Sequence, residues 1–352
     1  MRIAVENSTW NNIGDAFYQT SLQHMLTRSF PEASVFSIDG PVERAFRPGR
    51  FARNAFDISD VYDADHFVFS GPILTSRFPV LYGDLIRRIH ERGRSYSLLS
   101  VHAYVEGAEL EATRELLRRY PPRAIHTRDR STFNKLQGIC DCMLDGICFA
   151  YFVGTLPGVP NVSTSDEYVC VSFHSQREPR LVLDTPNARE LVTADLRVKF
   201  FNKLPSTLWR GARHLDFLRR HPQRLGQWRI VRPVHGQYPF NHLTFGRPAS
   251  YTTYNPLSFL AVYKGCSGVV TDRVHAGVAA LAFNKPAWVQ RLDGRYELFR
   301  HAPVQKRGDF LVIRPDALQA EWLRHTSWLR GVFAIAISDS LKSEAVKETN
   351  YK

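Results

Sequence analysis

The stretch Val269-Val270-Thr271-Asp272-Arg273-Val274-His275-Ala276-Gly277-Val278-Ala279-Ala280-Leu281-Ala282-Phe283-Asn284-Lys285-Pro286-Ala287-Trp288-Val289 decides the fold class. Its apolar opening reads as the end of a buried strand. Asp272 to His275 reads as a polar turn, the small-residue run as a helix, and Ala287-Trp288-Val289 as a second strand. An acid, a guanidinium and an imidazole thus fall within four residues. The backbone N–H groups that follow open a helix, where anions are favoured. A cation, a titratable ring and free donors at one strand end suit a small phosphorylated or carboxylated molecule.

The same alternation runs through the rest of the chain. Arg2 to Glu6 is an apolar strand, Ser8 to Gly14 a polar loop, and Asp15 the expected start of a helix with Tyr18, Leu22, Met25 and Leu26 on one face. Phe67-Val68-Phe69, Tyr96 to Val101 and Ala124 to Thr127 are strands. Helices carrying Tyr82, Leu85, Ile86 and Ile89, then Leu110 to Tyr120, lie between them. Tyr151 to Asp166 has Gly, Pro, Ser and Thr without period and reads as an interdomain linker. The pattern then restarts with Tyr168 to Phe173 and Trp228 to Val231. Asn255-Pro256 gives a capped helix start. Strands alternating with helices predict two Rossmann-like α/β domains with mainly parallel sheets facing a cleft. The expected division is 1–155 for the N-terminal domain, 166–300 for the C-terminal domain, and 301–352 as a C-terminal helical segment packing back across the domains. Such sheets bind ligands at the carboxyl ends of their strands. His174 and His235 each follow a strand and become candidates on that ground.

Composition narrows the partners. The chain has 352 residues, 44% of them hydrophobic, and a formal net charge of +12. That size suits two domains, and that charge suits anionic partners. No segment reaches the roughly 20 apolar residues of a membrane span. The start reads as a strand rather than a signal peptide, so a cytoplasmic location is expected. Five cysteines with irregular spacing form no disulfide framework, and Cys140, Cys142 and Cys148 lack paired metal-ligand spacing. No metal is expected. Arg189 to Arg232 is rich in arginine, with Trp209 and Trp228 interleaved. Two readings remain open for it: peripheral docking on the inner face of an anionic membrane, or a solvated helical face. No nucleic-acid-binding module is present, and no nucleic acid partner is expected.

In order, the blocks Asn12-Ile13-Gly14-Asp15, Phe69-Ser70-Gly71, Thr127 to Leu136, Asp145, Thr271 to Ala276 and Asn284-Lys285-Pro286 resemble the polysaccharide pyruvyl transferase family over roughly residues 1 to 300. The resemblance implies a two-domain fold of the GT-B type, with 1–155 as the acceptor side and 166–300 as the donor side. It also implies transfer of the enolpyruvyl unit of phosphoenolpyruvate to a sugar or glycan, with formation of a pyruvate ketal. Phosphoenolpyruvate is then a donor substrate, and no cofactor is expected. The acceptor belongs to polysaccharide or exopolysaccharide biosynthesis and can be lipid-linked. His275 matches the family's general acid. Arg128 sits where an arginine of the phosphoenolpyruvate pocket is expected, and Arg295 where relatives often carry lysine. Pro72 replaces the usual second glycine after Ser70-Gly71.

The chemistry demands such residues. A phosphate and a carboxylate on one enol need fixed cations, for which Arg128, Arg273 and Arg295 are candidates. Asn12, Gly14 and Ser70 are candidates for substrate contact at strand ends. Protonation of the methylene carbon needs an acid titrating near neutrality, which histidine supplies. Asp15 is the candidate for taking the attacking hydroxyl's proton. Each residue also has a structural role open to it. His275 can cap its helix or bond Asp272. Arg128 and Asp129 can form an ion pair, and Asp15 can complement a helix dipole. Asp272 is expected to orient a neighbour. Alternation would put Arg273 and His275 on one side of an extended segment. The competing functions are a GT-B-type glycosyltransferase using a nucleotide sugar and a non-catalytic glycan-binding relative.

Overall fold

The computed structural model describes residues 1–7, 10–41, 58, 61–200, 213–236, 241–290 and 294–349, without the side chains of 213, 214, 217, 241, 295 and 334–349. The chain divides into two compact units. The first comprises 1–9, 19–149 and 319–352, and the second 10–18 and 150–318.

The first unit is built on a six-stranded sheet in the order β2-β1-β3-β4-β5-β6. Its strands are β1 (Arg2–Asn7), β2 (Ser34–Asp39), β3 (His66–Ser70), β4 (Ser95–Val101), β5 (Ala124–Thr127) and β6 (Met143–Asp145). Every pairing is parallel. The connecting helices are α1 (Ile13–Ser29), α2 (Phe78–Glu91), α3 (Gly107–Arg119) and α4 (Arg130–Leu136). Strands β1, β3 and β4 are nearly continuous apolar runs because both faces are covered. Helix α2 buries Phe78, Tyr82, Leu85, Ile86 and Ile89 against Phe67, Phe69 and Leu98. Each such side chain contributes roughly 1.5–3 kcal/mol through burial. Its outer face carries Arg87 bonded to Asp84 and Glu91. The edge strands β2 and β6 escape sequence reading because their side chains are mostly half-exposed. His66 lies between the hydroxyls of Ser95 and Ser97, and burial together with the Arg123 charge holds its pKa down to about 3.

The second unit carries a larger sheet. Its parallel centre is β11 (Trp228–Pro233), β7 (Tyr168–Ser172), β13 (Gly268–Thr271) and β14 (Ala287–Val289) in that spatial order. Antiparallel β10 (Arg224–Leu225) flanks one side, and β16 (Phe310–Ile313) with β15 (Val304–Arg307) the other. Short β12 (Ser250–Tyr251) adds to β11, and β8 (Arg180–Leu183) pairs with β9 (Leu196–Lys199) as a separate ribbon. Val169, Val171, Ile230, Val270 and Trp228 form the core. Helix α5 (Pro256–Gly265) starts as its sequence dictates: the Asn255 side chain accepts from the Leu257 and Ser258 N–H groups. Helix α6 (Val274–Ala282) lies close to the sheet because it is made of small residues. A Cβ on Gly277 would meet Val289 at 2.7 Å.

The aperiodic stretch after residue 150 differs from a simple linker in its first part. Phe149–Thr155 is a 3-10 helix in which Ala150, Tyr151, Phe152 and Val153 are buried. The Tyr151 hydroxyl donates to the Leu298 carbonyl. Helix α7 (Pro315–Thr349) closes the described chain. Among the described residues, no helix is long and apolar enough to cross a membrane.

Candidate functional site

The turn after β13 organises one end of the second sheet. Asp272 is buried, and its carboxylate accepts from the N–H groups of His174 (2.9 Å), Ser175 (2.7 Å) and Gln176 (2.9 Å). Burial pushes its pKa up, against these three donors and the Arg273 charge. Asp272 therefore braces the segment after β7, as expected of an orienting residue.

Helix α6 begins at Val274, so the segment is not extended through His275 and strand alternation does not apply there. Arg273 is the N-cap residue, and its N–H donates to Thr271 Oγ1 at 2.8 Å. Arg273 and His275 nevertheless meet the same partner, the turn at 12–15. The Arg273 guanidinium donates to Asn12 Oδ1 at 3.1 Å. His275 Nδ1 lies 3.9 Å from Asp15 Oδ1, too long for a hydrogen bond but within reach of an ionic contact. The Tyr18 ring lies 5.6 Å from the imidazole. Gly14 makes this approach possible, because a Cβ there would sit 2.7 Å from His275 Nδ1.

The same turn is held by the segment that follows β11. Ile13 N–H donates to the His235 carbonyl at 3.0 Å, and Asn12 forms a bridge with Gly236. The His235 ring is buried, hydrogen-bonded to the Tyr263 hydroxyl and packed edge-on to Phe17 and Phe259. Burial, with the positive field of Arg273, holds its pKa well below the ordinary value. It is a neutral structural ring that fixes the turn. Asn12, Gly14, Asp15, His174, His235, Arg273 and His275 thus all belong to the second unit. The 12–15 segment joins it although it lies far away in sequence.

Beside Arg273 lies an open recess at the carboxyl ends of β7 and β11, lined by His174, Arg232, His235, Arg247 and Arg273 among others. Sequence reading named Arg232 only as part of a basic stretch and did not name Arg247. Arg232 is buried and donates to both oxygens of Glu178 at 2.9 Å. Burial opposes the Glu178 charge, yet His221 and Arg232 bring its pKa down to about 2.

Ser70 and Arg128 belong to the first unit. Both are buried, and among the described residues Ser70 Oγ and Arg128 Nε and Nη1 have no hydrogen-bond partner. Asp129 does not pair with Arg128. It caps α4 through the Thr132 N–H and bonds His102 at 2.7 Å. Its pKa is lowered because His102 and Thr132 outweigh burial. Arg295 lies in a 3-10 turn, Gly294–Tyr296, and its side chain falls outside the described atoms.

The basic stretch loses much of its free charge to pairing. Arg197 bonds Asp184, Arg219 meets Asp216, Arg224 bonds Asp166 and Arg232 bonds Glu178. Its segment 201–212, with Trp209, lies outside the described residues. Leu215 and Leu218 are exposed. Among the described residues, no group of three or more His, Cys, Asp and Glu side chains could hold a metal ion.

Comparison with known proteins bears on this geometry. The family model "Polysaccharide pyruvyl transferase" matches residues 12–289, which include the 12–15 turn and the 271–275 segment. No curated protein matches the chain. Among solved structures, a putative UDP-N-acetylglucosamine 2-epimerase from Listeria monocytogenes is similar at 8% identity. It has a TM-score of 0.50, with 93% of this chain and 89% of that one covered. The Neisseria meningitidis UDP-GlcNAc 2-epimerase bound to UDP-GlcNAc gives 9% identity and a TM-score of 0.49, covering 97% and 100%. Escherichia coli ADP-heptose lps heptosyltransferase II gives 12% and 0.37, covering 96% and 99%. At such identities the likeness concerns the fold alone, which is GT-B-like α/β.

Proposed function

Because the chain belongs to the polysaccharide pyruvyl transferase family, we propose that it transfers the enolpyruvyl group of phosphoenolpyruvate to sugar hydroxyls of a glycan precursor. The observation that carries the reading is the convergence of His275, Asp15, Arg273 and Asn12 within one unit, at a glycine that leaves no room for a side chain.

The reaction divides into steps that these groups can serve. Arg273, held at the start of α6, offers a fixed cation to the carboxylate or phosphate of the donor. His275 delivers a proton to the methylene carbon, which leaves an oxocarbenium-like centre at the adjoining carbon. A sugar hydroxyl adds to that centre, and Asp15 accepts its proton. The bond to the phosphate oxygen then breaks, phosphate leaves, and a second hydroxyl closes the ketal. One hydroxyl proton balances the proton given to carbon, and the other departs with phosphate. Asp15, facing Nδ1, stabilises the protonated ring. Arg128 has its own claim as an anion ligand of the first unit, since a buried guanidinium with unpartnered N–H groups is costly.

Incubation with phosphoenolpyruvate and a panel of glycans tests the reading by free phosphate and acceptor mass gain. His275→Ala should abolish phosphate release while phosphoenolpyruvate still raises the melting temperature. No thermal shift with millimolar phosphoenolpyruvate, alongside a clear shift with a nucleotide sugar, would turn the assignment to a glycosyltransferase. Undiminished function in His275→Ala would turn it to a non-catalytic glycan-binding protein.

A further inference from the structure

The recess beside Arg273 is backed by an ionic cluster that the transfer chemistry above does not use. Asp216, 5% exposed, is shared among three guanidiniums: Arg219 at 3.4 Å, Arg247 at 3.7 Å and Arg177 at 3.8 Å. Glu178 is already engaged by Arg232 through two hydrogen bonds. His221 lies between the two carboxylates, 3.5 Å from Glu178 and 3.6 Å from Asp216.

A guanidinium at low exposure is expensive unless an anion engages it closely. Of the four guanidiniums, Arg232 and Arg247 line the recess, and Arg232 is committed to Glu178. Arg247, with a side chain 14% exposed, has its described carboxylate partner at 3.7 Å, longer than a charge-assisted hydrogen bond. His174 and Arg273 line the same recess. The recess opens at the carboxyl ends of two adjacent parallel strands, where open α/β sheets place their ligands.

We propose that this recess is a phosphate-dianion site, with Arg247 as its principal ligand, Arg273 and His174 beside it, and the Asp216–Glu178 pair holding the arginines in place. The phosphate belongs either to phosphoenolpyruvate or to a phosphorylated acceptor or nucleotide. The proposal rests on the transferase reading only for naming that source. Arg247 and Asp216 are so far unassigned in the reaction, and in this arrangement Asp216 is a positioning residue that need not touch the ligand.

Calorimetric titration of the full chain with inorganic phosphate tests it. Arg247→Gln should weaken phosphate binding at least ten-fold, and Arg247→Lys should recover part of the loss. Arg229→Gln, at an exposed arginine on β11 outside the recess lining, should leave it unchanged. Equal losses in Arg229→Gln and Arg247→Gln would mean general electrostatics and overturn the site, as would wild-type binding by a folded Arg247→Gln. Competition then separates the sources. Displacement of phosphate by phosphoenolpyruvate identifies the donor's phosphoryl group, and displacement by a nucleoside diphosphate or sugar phosphate alone identifies the other partner. Both results support the site. Because this readout needs no turnover, a protein that binds phosphate through Arg247 but never releases it from phosphoenolpyruvate would sink the transferase reading and keep the site.

Discussion

Replacing Gly14 by alanine should separate the fold from its chemistry. The new Cβ would lie 2.7 Å from His275 Nδ1, 2.9 Å from its Cβ and 3.1 Å from its Cγ. Contact with a Cβ close to the backbone cannot be relieved by turning the ring alone. Restoring an ordinary separation of 3.4 Å from 2.7 Å requires a displacement of roughly 0.7 Å. A misplacement of about 1 Å in a catalytic constellation can cost on the order of 100-fold. Turnover should therefore fall about 10- to 100-fold, read as phosphate release at saturating donor and acceptor. Stability should change much less. Alanine gains roughly 1 kcal/mol in intrinsic helix preference, whereas overpacking costs about 1–3 kcal/mol. A loss of no more than about 2 kcal/mol follows from those two terms. The His275 ring resonances should shift, which supplies a readout independent of activity. Unchanged turnover together with unchanged resonances would show that Gly14 does not set the imidazole position.

Three further outcomes follow from the same geometry. Asp272→Asn keeps one acceptor oxygen but turns an NH2 group toward backbone donors, so the urea midpoint should report a loss of roughly 2–4 kcal/mol; wild-type stability would contradict the bracing role. His66 is neutral in the fold down to about pH 3 and protonates near 6.5 when unfolded, so it contributes stability that is complete above 6.5 and is lost as pH falls toward 3. Urea titrations should show about 1.4 kcal/mol per pH unit of this slope disappearing in His66→Gln; an identical slope in the variant would refute it. Arg128→Met removes a buried charge with unpartnered N–H groups and should leave the ligand-free protein at least as stable as wild type. A drop of several kcal/mol would instead mean that Arg128 is a structural ion.

The sequence displays the frame of both sheets because their central strands are covered on two faces. Phe67-Val68-Phe69, Tyr168 to Ser172 and Val269-Val270 are apolar enough to announce themselves. Edge elements do not, since β2, β6 and β8 keep half their side chains wet and lose the period. The Asp272-Arg273-Val274-His275 segment was legible as a turn opening a helix, and Asn255 as a cap. The recess at Arg247 was not, because a guanidinium whose partner carboxylate lies over 30 positions away carries no local signal. Nor could periodicity show that Asn12 and Asp15 would meet Arg273 and His275. That meeting depends on backbone bonds from the turn to the segment that follows β11, between residues more than 220 positions apart.

The placement of 10–18 has a genetic consequence. The compact body that holds the imidazole is not encoded as one uninterrupted block, because residues 19–149 separate its acidic partner from the rest of it. A fragment expressed from 150–318 alone would lack that carboxylate and its asparagine neighbour. Recombination that exchanged carboxyl-terminal halves between relatives would pair each histidine with a foreign turn. The two halves of this chain must therefore evolve as a couple rather than as interchangeable modules.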